Sequence, residues 1–172
     1  MSRTRIDPGA EIMRARDKIE RSRQLLKREF FELSMQQSYL AMFAIGRARA
    51  AVEEPSFSDR GHDQLFSRLR SIYRDDRTGA NPGKVLQRAF QWKQMDDYGV
   101  SGGMPANATR EEAAEAHHIA IDFVGRMTND IVGHLGHVPE PIISEDQQEA
   151  VHREISSRDP RGRGPADDSG IV

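Results

Sequence analysis

The chain has 172 residues, 37% of them apolar and 30% charged, with a formal net charge of −2. That length fits one domain with a tail better than two domains, and the near-neutral balance excludes a chain that binds polyanions over its whole surface. There is no cysteine, which excludes disulfides, zinc–thiolate sites and cysteine nucleophiles and suits a cytoplasmic protein.

Aromatic residues make up only 6%, so aliphatic side chains, alanine and seven methionines must fill the core. No apolar run approaches the roughly 20 residues needed to cross a bilayer. Met1–Ile12 lacks the apolar stretch of a signal peptide, so no membrane association is expected. Arginine outnumbers lysine by 21 to 4. The guanidinium fork suits phosphate and carboxylate recognition, although codon usage in a GC-rich genome produces the same bias.

Asp7-Pro8 reads as a helix start, with Asp7 as N-cap and Pro8 at the first helical position. Ile12, Ala15, Ile19, Ser22 and Leu26 follow at helical spacing. The pattern allows a break near Lys27–Phe31, which no glycine or proline marks. A second helix over about Glu32–Val52 carries Met35, Tyr39, Met42, Phe43 and Gly46 on one stripe, and its many alanines permit close helix contact. Pro55 to Ser58 ends it, and a third helix runs from about Asp59 to Tyr73 with Leu65, Leu69 and Ile72 inward. After a polar loop, Asn81-Pro82 starts a fourth helix whose apolar residues are Val85, Leu86, Ala89, Phe90 and Trp92; it ends by Gly99, before a Ser101-Gly102-Gly103 turn. Thr109-Arg110-Glu111-Glu112 reads as a capping box. The fifth helix then places Ala116, Ile119, Phe123, Met127 and Ile131 at 3.6 spacing, with Gly133 and Gly136 as its terminators.

From Pro139 the sequence turns polar. The expectation is a helical bundle over 1–138 and a tail over 139–172, with a short helix around Glu145–Ile155 and disorder from Asp159 to Pro165. With no strand alternation and no internal repeat, the fold class is all-α: an antiparallel bundle of about five helices.

Phosphate-loop, metalloprotease and serine-hydrolase signatures are missing. His117 and His118 project about 100° apart on a helix, so they read as an exposed pair rather than a metal site, and neither a metal nor a cofactor is expected. What remains is the end of the fourth helix. Lys93 and Asp97 share a face, and Tyr98 sits at the terminus, where a side chain can turn into a groove. Spacing alone reads equally as a surface ion pair worth about 0.3–0.5 kcal/mol. Tyr39, on an apolar stripe, reads as a core residue with its hydroxyl at the edge, and His62 as a residue that helps start the third helix; both are weaker candidates.

Ser38-Tyr39-Leu40-Ala41-Met42-Phe43 resembles the second-helix signature of a widespread bacterial subfamily of HEPN proteins. Gly61-His62-Asp63 matches the start of its third helix. Val85 to Phe90, followed by Lys93 and Asp97-Tyr98-Gly99, resembles its fourth-helix signature, which usually reads arginine, three residues, then Asp-Tyr. The similarity runs in order, with matching gaps, from about Arg14 to Leu135. It implies a HEPN-like helical homodimer associated with RNA or a nucleotide. It also implies the toxin-like half of a toxin–antitoxin or phage-defence pair, often with a nucleotidyltransferase antitoxin as partner. Catalytic members carry arginine, four to six residues, then histidine, paired across the dimer, with the arginine holding phosphate and the histidine assisting attack by the ribose 2′-hydroxyl.

This chain departs from that pattern. Lys93 stands where the subfamily has arginine and keeps the charge without the bidentate fork. Tyr98 stands where catalytic members have histidine. With an ordinary pKa near 10, about one tyrosine in a thousand is ionised at pH 7, and using it as a general base costs on the order of 4 kcal/mol. The resemblance therefore implies phosphate contacts from Lys93 and Arg88, with Asp97 orienting Lys93 and Tyr98 stacking or hydrogen-bonding in the dimer groove. The alternatives are a metal-independent endoribonuclease with Lys93, Asp97 and Tyr98 as catalytic residues, and a non-catalytic interaction scaffold. Arg110 and His117 also match the arginine–histidine gap, but among 21 arginines and six histidines such a gap arises by chance.

Overall fold

Local chemistry sets most of the helix ends. The computed structural model describes residues 5–58, 61–77, 79–97 and 108–141, with 94–97 described in backbone only. Among these residues the chain forms five α-helices and no strand: α1 (Pro8–Lys27), α2 (Phe31–Glu53), α3 (His62–Ile72), α4 (Pro82–Asp97) and α5 (Arg110–Leu135). The helix expected at Glu145–Ile155, the segment Asp159–Pro165 and the Ser101-Gly102-Gly103 turn lie outside the described residues.

Asp7 accepts hydrogen bonds from the Gly9 and Ala10 amides at 2.9 and 3.3 Å, capping α1 as its sequence implies. Asn81 does the same for α4 through the Gly83 amide at 3.0 Å, while its amide donates to the Tyr73 carbonyl at 3.0 Å and so ties the helix start to the end of α3. Both halves of the Thr109/Glu112 capping box are formed at α5. That helix continues through Gly133 and ends at Gly136, whose φ of 80° is the left-handed C-cap conformation that glycine adopts without strain. The third helix starts at His62, later than Asp59.

Between α1 and α2 the chain reverses over Arg28, Glu29 and Phe30. Glu29 takes a φ of 64°, a left-handed conformation costly for a side chain with a Cβ. Its carboxylate pairs with Arg110 of α5, whose guanidinium lies 5.5 Å from the Phe31 ring. The reversal is closed without a glycine, by the Glu29 and Phe30 amides donating to the Leu26 and Leu25 carbonyls at 3.2 and 3.0 Å.

Packed centrally, α2 contacts all four other helices. The order of contacts along the chain gives the directions. Ser22 meets Ser34 and Ser38, as a hairpin requires, and α4 runs back along α2, with Leu86 beside Gly46 and Phe90 beside Tyr39. The pair α3–α4 is likewise antiparallel, with Gly83 against Arg70 and Phe90 against Phe66. The main core joins Ile12, Tyr39, Met42, Ile45, Phe66, Leu69, Leu86, Met127 and Ile131, all essentially buried. A smaller cluster of Met35, Ala108, Ala113 and Ala116 closes the other end. Gly46 lies where Leu65, Leu69 and Leu86 converge, so the small residues of α2 do admit two helices at close range.

Candidate functional site

Two residues nominated from the sequence, Tyr39 of α2 and His62 of α3, meet where those helices pack with α4. Tyr39 is fully buried on α2, and its hydroxyl lies 2.6 Å from Nδ1 of His62, the first residue of α3. Burial pushes the Tyr39 phenol well above its ordinary pKa, so the phenol keeps its proton, and donating it to Nδ1 is the arrangement in which His62 carries its own proton on Nε2. The expectation of a hydroxyl at the edge of the core is corrected accordingly: the hydroxyl is interior, and the half-buried imidazole is what reaches the surface.

Aromatic rings surround this pair. The His62 ring centroid lies 4.8 Å from that of Phe43 and 4.6 Å from that of Phe90. Tyr39 and Phe66 back them at 5.9 and 6.2 Å. Phe43, His62 and Phe90 are each half-buried, so a herringbone of three rings from three helices is partly open.

Lys93 lies one turn beyond Phe90. It follows Leu86 and Ala89, both buried, at seven and four positions, and therefore continues the inward stripe of α4; it is itself half-buried. Asp97, four residues on, holds the same stripe by position, but its side chain is not described, and Tyr98 lies outside the described residues. The two cations that the sequence pairs as phosphate contacts are separated. Arg88 is exposed with Lys84, Gln87 and Gln91 on the outer face, about 140° around the helix from Lys93. Lys93 lies on the inward stripe of α4 and Arg88 on its exposed face.

Arg110 and His117 do not form a site either. Arg110 is exposed and engaged by Glu29. His117, far from being half of an exposed pair, is 6% exposed, and its Nδ1 lies 3.0 Å from the Ser22 hydroxyl. Ser22 also meets Ser38 at 2.8 Å and Ser34 at 3.1 Å, while Ser34 donates to the Ser22 carbonyl at 2.9 Å. Four buried polar side chains thus satisfy one another where α1, α2 and α5 join. Burial, then the neighbouring His118 and Arg23, push the His117 pKa down. His118, one residue on, is exposed.

A second polar network crosses the opposite half of the bundle. Tyr73 donates to Asp130 Oδ2 at 2.6 Å and accepts from Arg49 Nε at 3.2 Å, and Arg49 pairs with Glu53 at 3.0 Å. Arg126 lies over the Tyr73 ring at 5.4 Å and binds Asp76 at 2.6 Å. The sequence reading missed both networks. Their signal was a set of hydroxyls and an arginine at helix-interior positions, namely Ser22, Ser34, Ser38 and Arg49. It also missed Phe43 and Phe90 as a wall for His62, since on one helix an aromatic stripe looks like ordinary core.

Among the described residues no group of three or more histidine or acidic side chains could hold a metal ion, and no helix is long and apolar enough to cross a membrane. No family model matches the chain, and no curated protein or solved structure matches it.

Proposed function

We propose that this chain is a HEPN-type protein that binds RNA or a nucleotide in the groove between α2, α3 and α4, as the toxin-like half of a toxin–antitoxin or phage-defence pair. One observation carries the reading. Tyr39 and His62 are hydrogen-bonded beside the Phe43 and Phe90 rings, and the half-buried Lys93 follows Phe90 by one turn of α4. A lysine on an inward stripe costs desolvation unless an anion meets it, and a phosphate supplies that anion. Lys93 contacts phosphate, and Asp97, one turn on in the sequence, orients it. A homodimer and a nucleotidyltransferase antitoxin are the partners this reading brings with it.

Fluorescence anisotropy with a short single-stranded RNA tests it across a salt series. Lys93→Ala is expected to weaken binding about tenfold and to make the salt dependence shallower by about 0.7 in log–log slope, the loss of one phosphate contact. Arg88→Ala, on the far face, is expected to do neither. Unchanged affinity in Lys93→Ala, or no binding by the unaltered protein, overturns the reading.

A second reading is favoured by the Tyr39–His62 hydrogen bond, which orients an imidazole in the same groove. Metal-independent RNA cleavage would use that ring beside Lys93. Cleavage of total RNA or tRNA that survives EDTA and disappears in Lys93→Ala and His62→Gln would establish it.

A further inference from the structure

Large apolar side chains collect on one outer flank of the bundle. Among the described residues six stay substantially exposed, and four of them, Met13, Ile121, Leu135 and Val138, belong to α1, to α5 or to the residues just after α5. A groove of about 390 Å³ opens between these two helices, with Ile19, Ile121 and Val124 among its walls and Gly125 on its α5 side. Met13 lies one turn before Arg16, which also lines it. Gly125 is exposed, and a Cβ there would meet nothing within 4 Å. Glycine weakens a helix interior relative to alanine, and no described neighbour in this chain requires its small size. A second chain pressed close against α5 does.

The two helices carry opposite charge. In α1 six lysines and arginines stand against three acids, and in α5 five acids stand against two arginines, a net +3 and −3 with histidines neutral. The acids of α1 pair within the helix, with Arg14, Arg21 and Arg23, and Glu11 also holds Arg47 of α2. Arg16, Lys18 and Lys27 are therefore the surplus of α1. Both arginines of α5 pair outside it, Arg110 with Glu29 and Arg126 with Asp76, so they do not offset its acids. The helices run antiparallel, since Ser22 meets His117 while Gly9 lies under Glu140.

We propose that this flank is the face on which two copies of the chain associate, about a two-fold axis parallel to the helices. That axis lays α1 of each copy on α5 of the other, so four helices alternate in direction and in charge and close up at Gly125. An axis across the helices would set α1 on α1, like charge on like. A partner helix of one charge would suit α1 or α5 but not both. At 1.5 Å per residue and about 10 Å per helix width, the two helices cover about 30 by 20 Å, or about 600 Å² on each copy. Counted on both copies, that exceeds the roughly 1,000 Å² a specific interface needs. The inference rests on the homodimer of the proposed function and gives it a face. Tyr39, His62 and Lys93 do not line the groove, so each copy keeps its own RNA site.

Sedimentation equilibrium of the full chain across the micromolar range tests it. The mass is expected to rise towards twice the 19.4 kDa of one chain. Gly125→Gln, which has open space on its own copy, should raise the dissociation constant about 5- to 150-fold, the range for overpacking a close contact. Ile121→Gln should also weaken the dimer, and circular dichroism should stay unchanged in both variants. Added salt should loosen the dimer, because it screens α1 from α5. A monomer at every concentration, a dimer indifferent to both substitutions, or a dimer that tightens with salt overturns the proposal. RNA binding by a monomer would leave the RNA reading standing without this face, and a dimer that binds no RNA would do the reverse.

Discussion

The imidazole Nδ1 of His117 on α5 lies 3.0 Å from the hydroxyl of Ser22 on α1, inside a seam where neither residue meets solvent appreciably. One proton arrangement uses every donor: Ser34 to the Ser22 carbonyl, Ser38 to the Ser22 hydroxyl, and Ser22 to Nδ1 of a neutral ring.

That arrangement makes stability depend on pH. Burial holds the His117 pKa below its ordinary value of 6.5, so the unfolded chain binds the proton more readily than the folded one. The stabilisation is fully present above about pH 6.5 and is lost as pH falls below it towards the folded pKa. Urea midpoints measured from pH 7.5 down to 5.5 are expected to decline, and His117→Gln should flatten that decline. A parallel slope in the variant would assign the effect to other groups.

Tyr73 tests the second network. Its hydroxyl bridges Arg49, which is 8% exposed, and Asp130. Tyr73→Phe leaves both charged groups without that partner, and a loss of about 1–3 kcal/mol in chemical denaturation is expected. A change smaller than about 0.5 kcal/mol would mean that water replaces the hydroxyl without cost.

Two glycines should respond with opposite signs. A Cβ at Gly83 would stand 2.6 Å from the Arg70 amide nitrogen, so Gly83→Ala must push α4 off α3, at a cost of about 1–3 kcal/mol. A Cβ at Gly133 would meet nothing within 4 Å, and Gly133→Ala inside α5 should stabilise by about 0.5–1 kcal/mol. Thermal melts of the two variants displaced in the same direction would contradict the packing described for the α3–α4 pair.

Tyr39→Phe removes the proton donor of the His62 pair. Long-range ¹H–¹⁵N spectra of the unaltered protein at pH 8 should show His62 with a protonated Nε2 and an unprotonated Nδ1. In the variant that preference should weaken, with a stability loss of about 1 kcal/mol. A proton found on Nδ1 in the unaltered protein would reverse the donor and acceptor roles assigned here.

The helix starts at Asp7, Asn81 and Thr109 were legible because each is a local signal, a side-chain oxygen placed two or three residues ahead of an orphan amide. The reversal at Glu29 was not. Its left-handed residue is a glutamate, and the partner its carboxylate meets is Arg110, 81 residues away. For the same reason His117 looked exposed beside His118, because its partners lie on other helices. Lys93 shows a different limit. Its inward position follows from its spacing to Leu86 and Ala89, but grouping it with Arg88 followed proximity along the chain instead of angle around the helix. The Tyr39–His62 contact needed two helices at once, and nothing local to either segment announces it.

Gly9, near the start of α1, lies directly under the Glu140–Pro141 backbone, leaving no room for a side chain. The first and last described segments of the bundle therefore touch, at the end of the molecule away from Lys93. Joining them with a short linker and opening the chain instead in the loop between α3 and α4 would leave every helix intact. Such a circular permutant would turn the covalent order of the helices into a variable for dissecting how the bundle assembles.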